Sequence, residues 1–323
     1  MDDILTGDLD NKSQSFLEFV TQLSSRIVWE YSDEKTQISD LYEIAKEKFW
    51  NASRDIDWSS NNPRLSWPTQ PESNPLFGFK PYDLLPSEER IRISWWQHGL
   101  EISEVLHGEQ GALIIASQLV SCMPTMEAKL FASSQVSDEA RHVEFFSRYL
   151  TDIVGLIYPP SKELERFIRL MVDDPRWDMK FIACQILIES LAMAKFQEIK
   201  SKSLNPILTF AVDYIAKDEA RHVKFGTTLL EDYINSLSDH EIQERSDFVL
   251  DNILRLANAQ NIYSRIAEEM SWDKTALRYH LRKYRISHPE INRNKFRQLS
   301  INLDSVGLLT DKTIERMASI QTI

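Results

Sequence analysis

The sequence predicts an all-α protein built around a four-helix bundle, with further helices at both ends. Three observations carry this expectation. Gly and Pro are sparse, 8 and 12 in 323 residues, so little interrupts long helices. Apolar residues recur at spacings of three and four through most of the chain, the period of a helix with one buried side. The six residues DEARHV occur twice, from Asp138 and from Asp218, eighty positions apart, as two similar helices of one fold would. The β-branched runs are short and keep the helical spacing, so no strand is expected.

Taken in order, "FLEFVTQLSSRIVWEY" and "ISDLYEIAKEKFW" predict two helices before a break at Asn51. From there to about Leu85 the chain is rich in Asn, Pro, Ser and Trp. Its aromatic residues predict an ordered loop wrapped on a core rather than a disordered linker. Helical text resumes at Ser87, a candidate N-cap with Glu88 and Glu89 behind it, and Pro124 separates this helix from the one carrying the first DEARHV. "GLIYPP" closes that second helix, "SKELERFIRLMVDD" leads to Pro175, and the next two helices meet at "SLNP". At least two more, starting near Asp239 and Trp272, precede a less periodic tail. The expected division is residues 1–86 for N-terminal helices and wrapping loop, 87–236 for the bundle, and 237–323 for C-terminal helices packed on it, one structural domain overall.

A formal net charge of -12 argues against nucleic acid and anionic membrane as general partners. The chain opens without a basic, apolar leader, and no apolar run reaches membrane-span length. Cys122 and Cys184 sit in apolar text and resemble neither a disulfide framework nor a thiolate metal site. A cytoplasmic protein is expected.

Within each DEARHV a Glu precedes a His by three: Glu139 and His142, Glu219 and His222. On a helix such a pair projects from one face a turn apart and can share one metal ion. Two-metal bundles complete the set with one Glu from each of the other two helices. Thirty residues before Glu139 stands Glu109, and thirty before Glu219 stands Glu189. In an antiparallel pair, residues at equal height lie equally far from the turn. The midpoints fall at Pro124 and beside Asn205-Pro206, where the sequence has its breaks. Apolar neighbours around Glu189 and after Glu109 make these carboxylates costly to bury without a cation. Glu104, on the same helix as Glu109, is the alternative for the fourth carboxylate. Four Glu and two His, with no thiolate, suit two iron ions, or a manganese–iron pair, better than structural zinc.

Asp138 and Asp218, one residue before the ligand glutamates, are candidates to accept the free N–H of the opposite histidine, Asp138 from His222 and Asp218 from His142. Arg141 and Arg221 then neutralise these extra acids. Ala112, Ile115, Phe145, Phe146, Ala192, Met193 and Phe225, one or two turns from the ligands, are candidate walls of an apolar substrate pocket.

The doubled D-E-x-R-H, each copy preceded by a glutamate thirty residues upstream, resembles the ferritin-like di-iron carboxylate superfamily over residues 87 to 236. The resemblance implies a dioxygen-activating oxidase or oxygenase that takes a small organic substrate and receives electrons from a donor protein or small reductant. The reaction classes it implies are hydroxylation, N-oxygenation, desaturation and oxidative cleavage. A homodimer is implied by analogy. Ferroxidase chemistry is the alternative, and a radical-generating reductase role is disfavoured because Phe146 stands where those subunits carry a tyrosine. Monooxygenases and desaturases usually have a threonine a turn after the third carboxylate, where this chain has Ala192 and Met193. Arylamine N-oxygenases add a third histidine a turn before the last motif glutamate, where it has Ile215. The resemblance by itself selects no branch.

Overall fold

The structure, a computed structural model, describes residues 25–29, 35–60, 64, 66–259 and 262–321. Of the helix expected over "FLEFVTQLSSRIVWEY", only residues 25–29 are described, and they are not helical. The rest of that stretch lies outside the described residues. Thr36 starts α1 (Gln37–Glu47): its hydroxyl accepts from Ser39 N, and Ser39 Oγ accepts from Thr36 N, a capping box.

Among the described residues from Lys48 to Leu85, the chain is irregular apart from a 3₁₀ turn (Pro71–Ser73) and α2 (Lys80–Asp83). It is held by its apolar side chains, with Trp50, Leu76, Phe79 and Tyr82 buried. Indole N–H groups supply further ties: Trp58 donates to Ala52 O and, across to the bundle, Trp95 donates to Ser66 O, both at 2.8 Å.

The bundle is made of α3 (Ser87–Cys122), α4 (Met126–Tyr149), a composite helix over residues 177–202, and the helix that carries the second motif. Pro86, not Ser87, occupies the N-cap position of α3, and no side chain caps it. Ser87 is the first helical residue, and Glu88 and Glu89 face the positive end of the helix instead. Pro124 has no N–H to continue α3, and Thr125 starts α4 by accepting from Ala128 N. A π-helical turn (Leu150–Val154) ends α4 at Gly155, whose φ of 85° is the left-handed conformation of a helix stop.

After α5 (Lys162–Asp173), the composite helix consists of α6 (Trp177–Phe181), a π-helical segment (Ile182–Ile188) and α7 (Glu189–Lys202). Asn205 caps α8 (Pro206–Asn235), with Pro206 at its first position. Among the described residues five helices follow: α9 (Asp239–Ala259), α10 (Ile262–Glu269), α11 (Lys274–Ser287), α12 (Pro289–Ser305) and α13 (Asp311–Gln321). The tail expected to be less periodic is helical. Its polar Asn, Arg and Gln residues dilute the apolar period, but Phe296, Leu299 and Leu303 of α12 still bury one side, and Asn302 Nδ2 donates to Ser190 Oγ on α7 at 2.7 Å.

Two apolar layers flank the middle of the bundle. One gathers around Phe131, Phe181 and Phe225, the other around Phe145, Phe146, Phe196 and Ile215. Along α4 the first ends at Ala132 and the second resumes at Phe145, and the residues between include Glu139 and His142. The only β pairing among the described residues is an isolated bridge between Thr69 and Ser203. No helix among them is long and apolar enough to cross a membrane.

Candidate metal centre

Each bundle helix brings its part of the candidate donor set to the same height. α3 contributes Glu109, α4 Glu139 and His142, α7 its first residue Glu189, and α8 Glu219 and His222. All six are buried; Glu139, His142, Glu219 and His222 have no exposed surface at all. They form two overlapping groups, Glu109–Glu139–His142–Glu219 and Glu139–Glu189–Glu219–His222, within each of which one donor atom per residue lies within 4.8 Å of the others. Glu139 and Glu219 belong to both and would be shared by two ions.

The two imidazoles aim Nδ1 inward. His142 Nδ1 lies 3.2 Å from Glu109 Oε2, 3.3 Å from Glu139 Oε2 and 3.1 Å from Glu219 Oε1. His222 Nδ1 lies 2.9 Å from Glu219 Oε2, 3.3 Å from Glu139 Oε1 and 3.6 Å from Glu189 Oε1.

Whether metal suits this cluster is decided by its electrostatics. Burial, reinforced by the Glu219 charge, pushes Glu109 up to about 8 and raises Glu189 well above the usual carboxylate range. Glu139 Oε2 and Glu219 Oε1 are buried without a hydrogen-bond partner, although they lie close to His142 Nδ1. Orphaned oxygens of this kind cost about 1–3 kcal/mol each, more when charged. Two divalent cations would balance four carboxylates and give each orphan a partner. The oxygen and nitrogen donors fit iron or manganese. Cys184 adds no thiolate ligand: burial, with Glu189 beside it, raises its thiol well above the ordinary value, and its Sγ–H donates to Glu189 Oε1 at 3.9 Å.

The outer face of each histidine is held by the opposite motif. His142 Nε2 lies 3.2 Å from Asp218 Oδ2, and His222 Nε2 lies 3.2 Å from Asp138 Oδ2. Arg141 pairs with Asp138 and, at 3.4 Å, with Asp218; Arg221 pairs with Asp218 at 2.5 Å and Asp138 at 3.2 Å. This buried square of two Asp and two Arg is neutral overall and locks α4 to α8. Burial works against ionised Asp218, but contacts with His142, Arg221 and Trp50 outweigh it and hold the carboxyl well below its usual range. An aspartate kept ionised fixes the histidine tautomer that leaves Nδ1 free for a metal.

Three residues of the site carry no such repeat signal. Trp50, in the wrapping segment, donates its indole N–H to Asp218 Oδ2 at 2.7 Å. Gln135 and Gln185 form an amide pair: Gln185 Nε2 donates to Gln135 Oε1 at 2.6 Å. Gln135 Nε2 in turn reaches Glu139 Oε1 at 3.1 Å and Glu189 Oε1 at 3.3 Å. The sequence holds a faint sign of the pair, since each glutamine stands four residues before a candidate ligand glutamate.

Glu104 lies outside both donor groups. It accepts from Ser161 N at 2.6 Å and Ser161 Oγ at 2.9 Å, tying α3 to the start of α5. A cavity of about 640 Å³ adjoins the cluster, with Glu109 and Glu189 in its wall. Of the seven expected wall residues, Ala112 and Ala192 line it. Ile115, Phe145, Phe146 and Phe225 are instead fully buried packing, and Met193 is not in the wall. Proximity to the ligands along a helix does not say which side of that helix meets empty space. Ile215 is fully buried in the apolar layer with Phe145 and Phe146.

This fold and this donor set define a ferritin-like di-iron carboxylate oxidase. The family described as P-aminobenzoate N-oxygenase AurF matches residues 31–293. The chain belongs to that family and is a di-iron oxidoreductase that acts with dioxygen on small substrates. No curated protein matches it in sequence. Solved structures share the fold. A single-site variant of an R2-like ligand-binding oxidase with an aerobically reconstituted Mn/Fe cofactor has a TM-score of 0.59 and 19% identity, covering 85% of this chain and 95% of that one. Another variant of that oxidase, with an aerobically reconstituted Fe/Fe cofactor, has a TM-score of 0.58 and 19% identity over 85% and 94%.

Proposed function

We propose that the protein inserts oxygen at the nitrogen of a small aromatic amine. Glu109, Glu139, His142 and Glu219 hold one metal ion, and Glu139, Glu189, Glu219 and His222 hold the other. Two irons are the composition proposed, with a manganese–iron pair as the variant. The match of residues 31–293 to the P-aminobenzoate N-oxygenase family carries this reading, and the cavity wall includes Glu109 and Glu189, the lone carboxylate of each half. A substrate in the cavity would therefore lie beside the two lone carboxylates of the candidate centre.

When bound, the ions supply the redox chemistry that activates dioxygen. The balance is one amine, one dioxygen, two electrons and two protons in, one hydroxylamine and one water out; an external donor protein or small reductant supplies the electrons. The chain supplies geometry and dryness. The Asp138–His222 and Asp218–His142 contacts fix the imidazoles, and Ala112, Ile188 and Ala192 give the inner cavity an apolar surface that disfavours water. The free thiols of Cys122 and Cys184 suit a reducing cytoplasm. Exposed Ile114, Leu130 and Phe210 offer apolar surface to a second copy, a homodimer that sedimentation of the purified protein would test.

The decisive experiment loads the protein with iron(II) without oxygen, then admits ¹⁸O-labelled dioxygen with a reductant and 4-aminobenzoate or related arylamines. Mass spectrometry should find label in an N-oxygenated product, and Glu139→Ala with Glu219→Ala should abolish metal binding and turnover together. Iron oxide mineral with no organic product would establish the ferroxidase alternative instead.

A further inference from the structure

The cavity beside the centre is long and ends on a basic helix. Its wall follows one stripe of α3 from Ser94 through Gln97, Glu101, Glu104 and Gly108 to Ala112, a rise of about 27 Å at 1.5 Å per residue. α11 closes the outer part of the cavity with Lys274, Leu277, Arg278, Leu281, Tyr284 and Arg285. It stands at the Ser94 end of α3, where Leu277 packs in one cluster with Ile93, Leu76 and Tyr82 and Tyr284 Oη donates to Ser73 O. In a chain of net charge -12, α11 carries five Lys and Arg and no acid.

The charges in the wall sort themselves by partner. Glu101 and Glu198 pair with Lys195, and Glu198 also with Lys202. Lys274 pairs with Glu268, and Glu104 is occupied by Ser161. Glu109 and Glu189 belong to the centre. Arg278 and Arg285 remain, two helical turns apart, with no ion pair among the described residues. They sit at the mouth, and the apolar residues Ala112, Ile188 and Ala192 lie at the inner end.

We infer that the cavity binds an elongated substrate whose carboxylate or phosphate end pairs with Arg278 and Arg285 and whose oxidisable end rests between Ala112 and Ala192. A guanidinium pair at a half-enclosed mouth makes charge-assisted, bidentate bonds to such a group. The acidity of the remaining surface makes this the favoured place for an anion to land. A volume of about 640 Å³ is that of a drug-sized site rather than of one aromatic ring. The inference rests on the proposed arylamine reading for the identity of the inner end, and on the cavity alone for the outer.

The test is binding, read by equilibrium dialysis on the iron(II)-loaded protein without oxygen. The probes are 6-(4-aminophenyl)hexanoate, the uncharged 6-(4-aminophenyl)hexanol and 4-aminobenzoate. The long acid should bind at least tenfold more tightly than the alcohol and than the short acid, and that preference should shrink as salt is raised. R278A/R285A should remove the preference for acid over alcohol while leaving iron content, melting temperature and alcohol binding unchanged; both arginines are exposed, so folding should survive. Equal binding of acid and alcohol, or an acid preference that persists in the double variant, overturns the inference. Failure of every arylamine to be oxygenated while the preference is intact would sink the proposed reaction and leave the anion site standing.

Discussion

Gly226 on α8 stands against Gln185 on the π-helical segment so closely that a Cβ added to the glycine would lie 2.5 Å from Gln185 Cβ. Non-bonded carbons essentially never approach so near, and the opposing atom is the stem of the side chain rather than its mobile end. Gln185 also holds Gln135, which reaches Glu139 and Glu189. The contact therefore links the packing of α8 to two carboxylates of the centre. Gly226→Ala should push the π-helical segment away, cost about 1–3 kcal/mol as overpacking, and lower iron stoichiometry. Urea unfolding and metal analysis would check both. Normal iron content in the variant would show that the amide pair does not position Glu189.

Trp50 offers a separate test of how the histidines are held. Its indole donates to Asp218, and its ring stacks on Tyr214 with centroids 5.5 Å apart. Trp50→Phe keeps an aromatic ring in the wrapping segment but removes the N–H together with part of the buried indole. Loss of a partner behind a metal-ligating histidine lowers metal affinity about 10–100-fold. Competition with a chelator should show a loss in that range, with a drop in stability of about 1.5–3 kcal/mol from the charged acceptor left short of a donor. An unchanged affinity would mean that Arg141 and Arg221 alone fix Asp218.

Gly108 distinguishes the cavity from the centre. A Cβ added there meets nothing within 4 Å, and the residue lies in the cavity wall next to Glu109. Gly108→Ala should stabilise the protein by about 0.5–1 kcal/mol, because alanine loses less freedom in a helix. Gly108→Phe should fill the space, raising the KM for an arylamine more than tenfold while leaving iron bound. If the phenylalanine variant instead turns over normally, substrate reaches the centre by another path.

The same contrasts explain what could be read from the chain and what could not. The convergence of the candidate donors is legible in the sequence because a shared site needs particular residue types at helical intervals. The breaks at Pro124 and at Asn205-Pro206 then fix where each helix pair turns. The π-helical segment ends at Ile188, just before Glu189, so it does not disturb the count from Glu189 to Glu219. That segment itself leaves no mark in the residue pattern, and neither does the approach of Gly226 to Gln185. Trp50 lies 168 residues from Asp218, a distance no local rule spans. Which of the expected wall residues line this cavity is hidden from the sequence for a related reason. Phe145 and Phe146 are near the ligands in sequence, but whether a side chain meets a neighbour or a void depends on how the third, fourth, seventh and eighth helices pack, which is a property of the whole fold.

His98 gives a pH dependence of stability that metal does not dominate. It is buried on α3, its Nε2 lies 2.9 Å from Tyr149 Oη, and Trp95 meets its ring edge-on. Burial, with Lys195 nearby, pushes it down to about 3 from an ordinary 6.5. Its folded form thus stays neutral where the unfolded chain would take up a proton. The sign follows from linkage: the stability contributed by neutral His98 is complete above about pH 6.5 and is lost as pH falls toward 3, by up to about 5 kcal/mol. His98→Gln keeps a polar partner for Tyr149 and cannot ionise. With both proteins stripped of metal by chelation, urea midpoints of the parent should fall more steeply between pH 6.5 and 4 than those of the variant, while acids common to both cancel in the comparison. Parallel curves would mean that the folded protein accommodates the imidazolium, and that the cavity wall at His98 admits water more freely than its burial indicates.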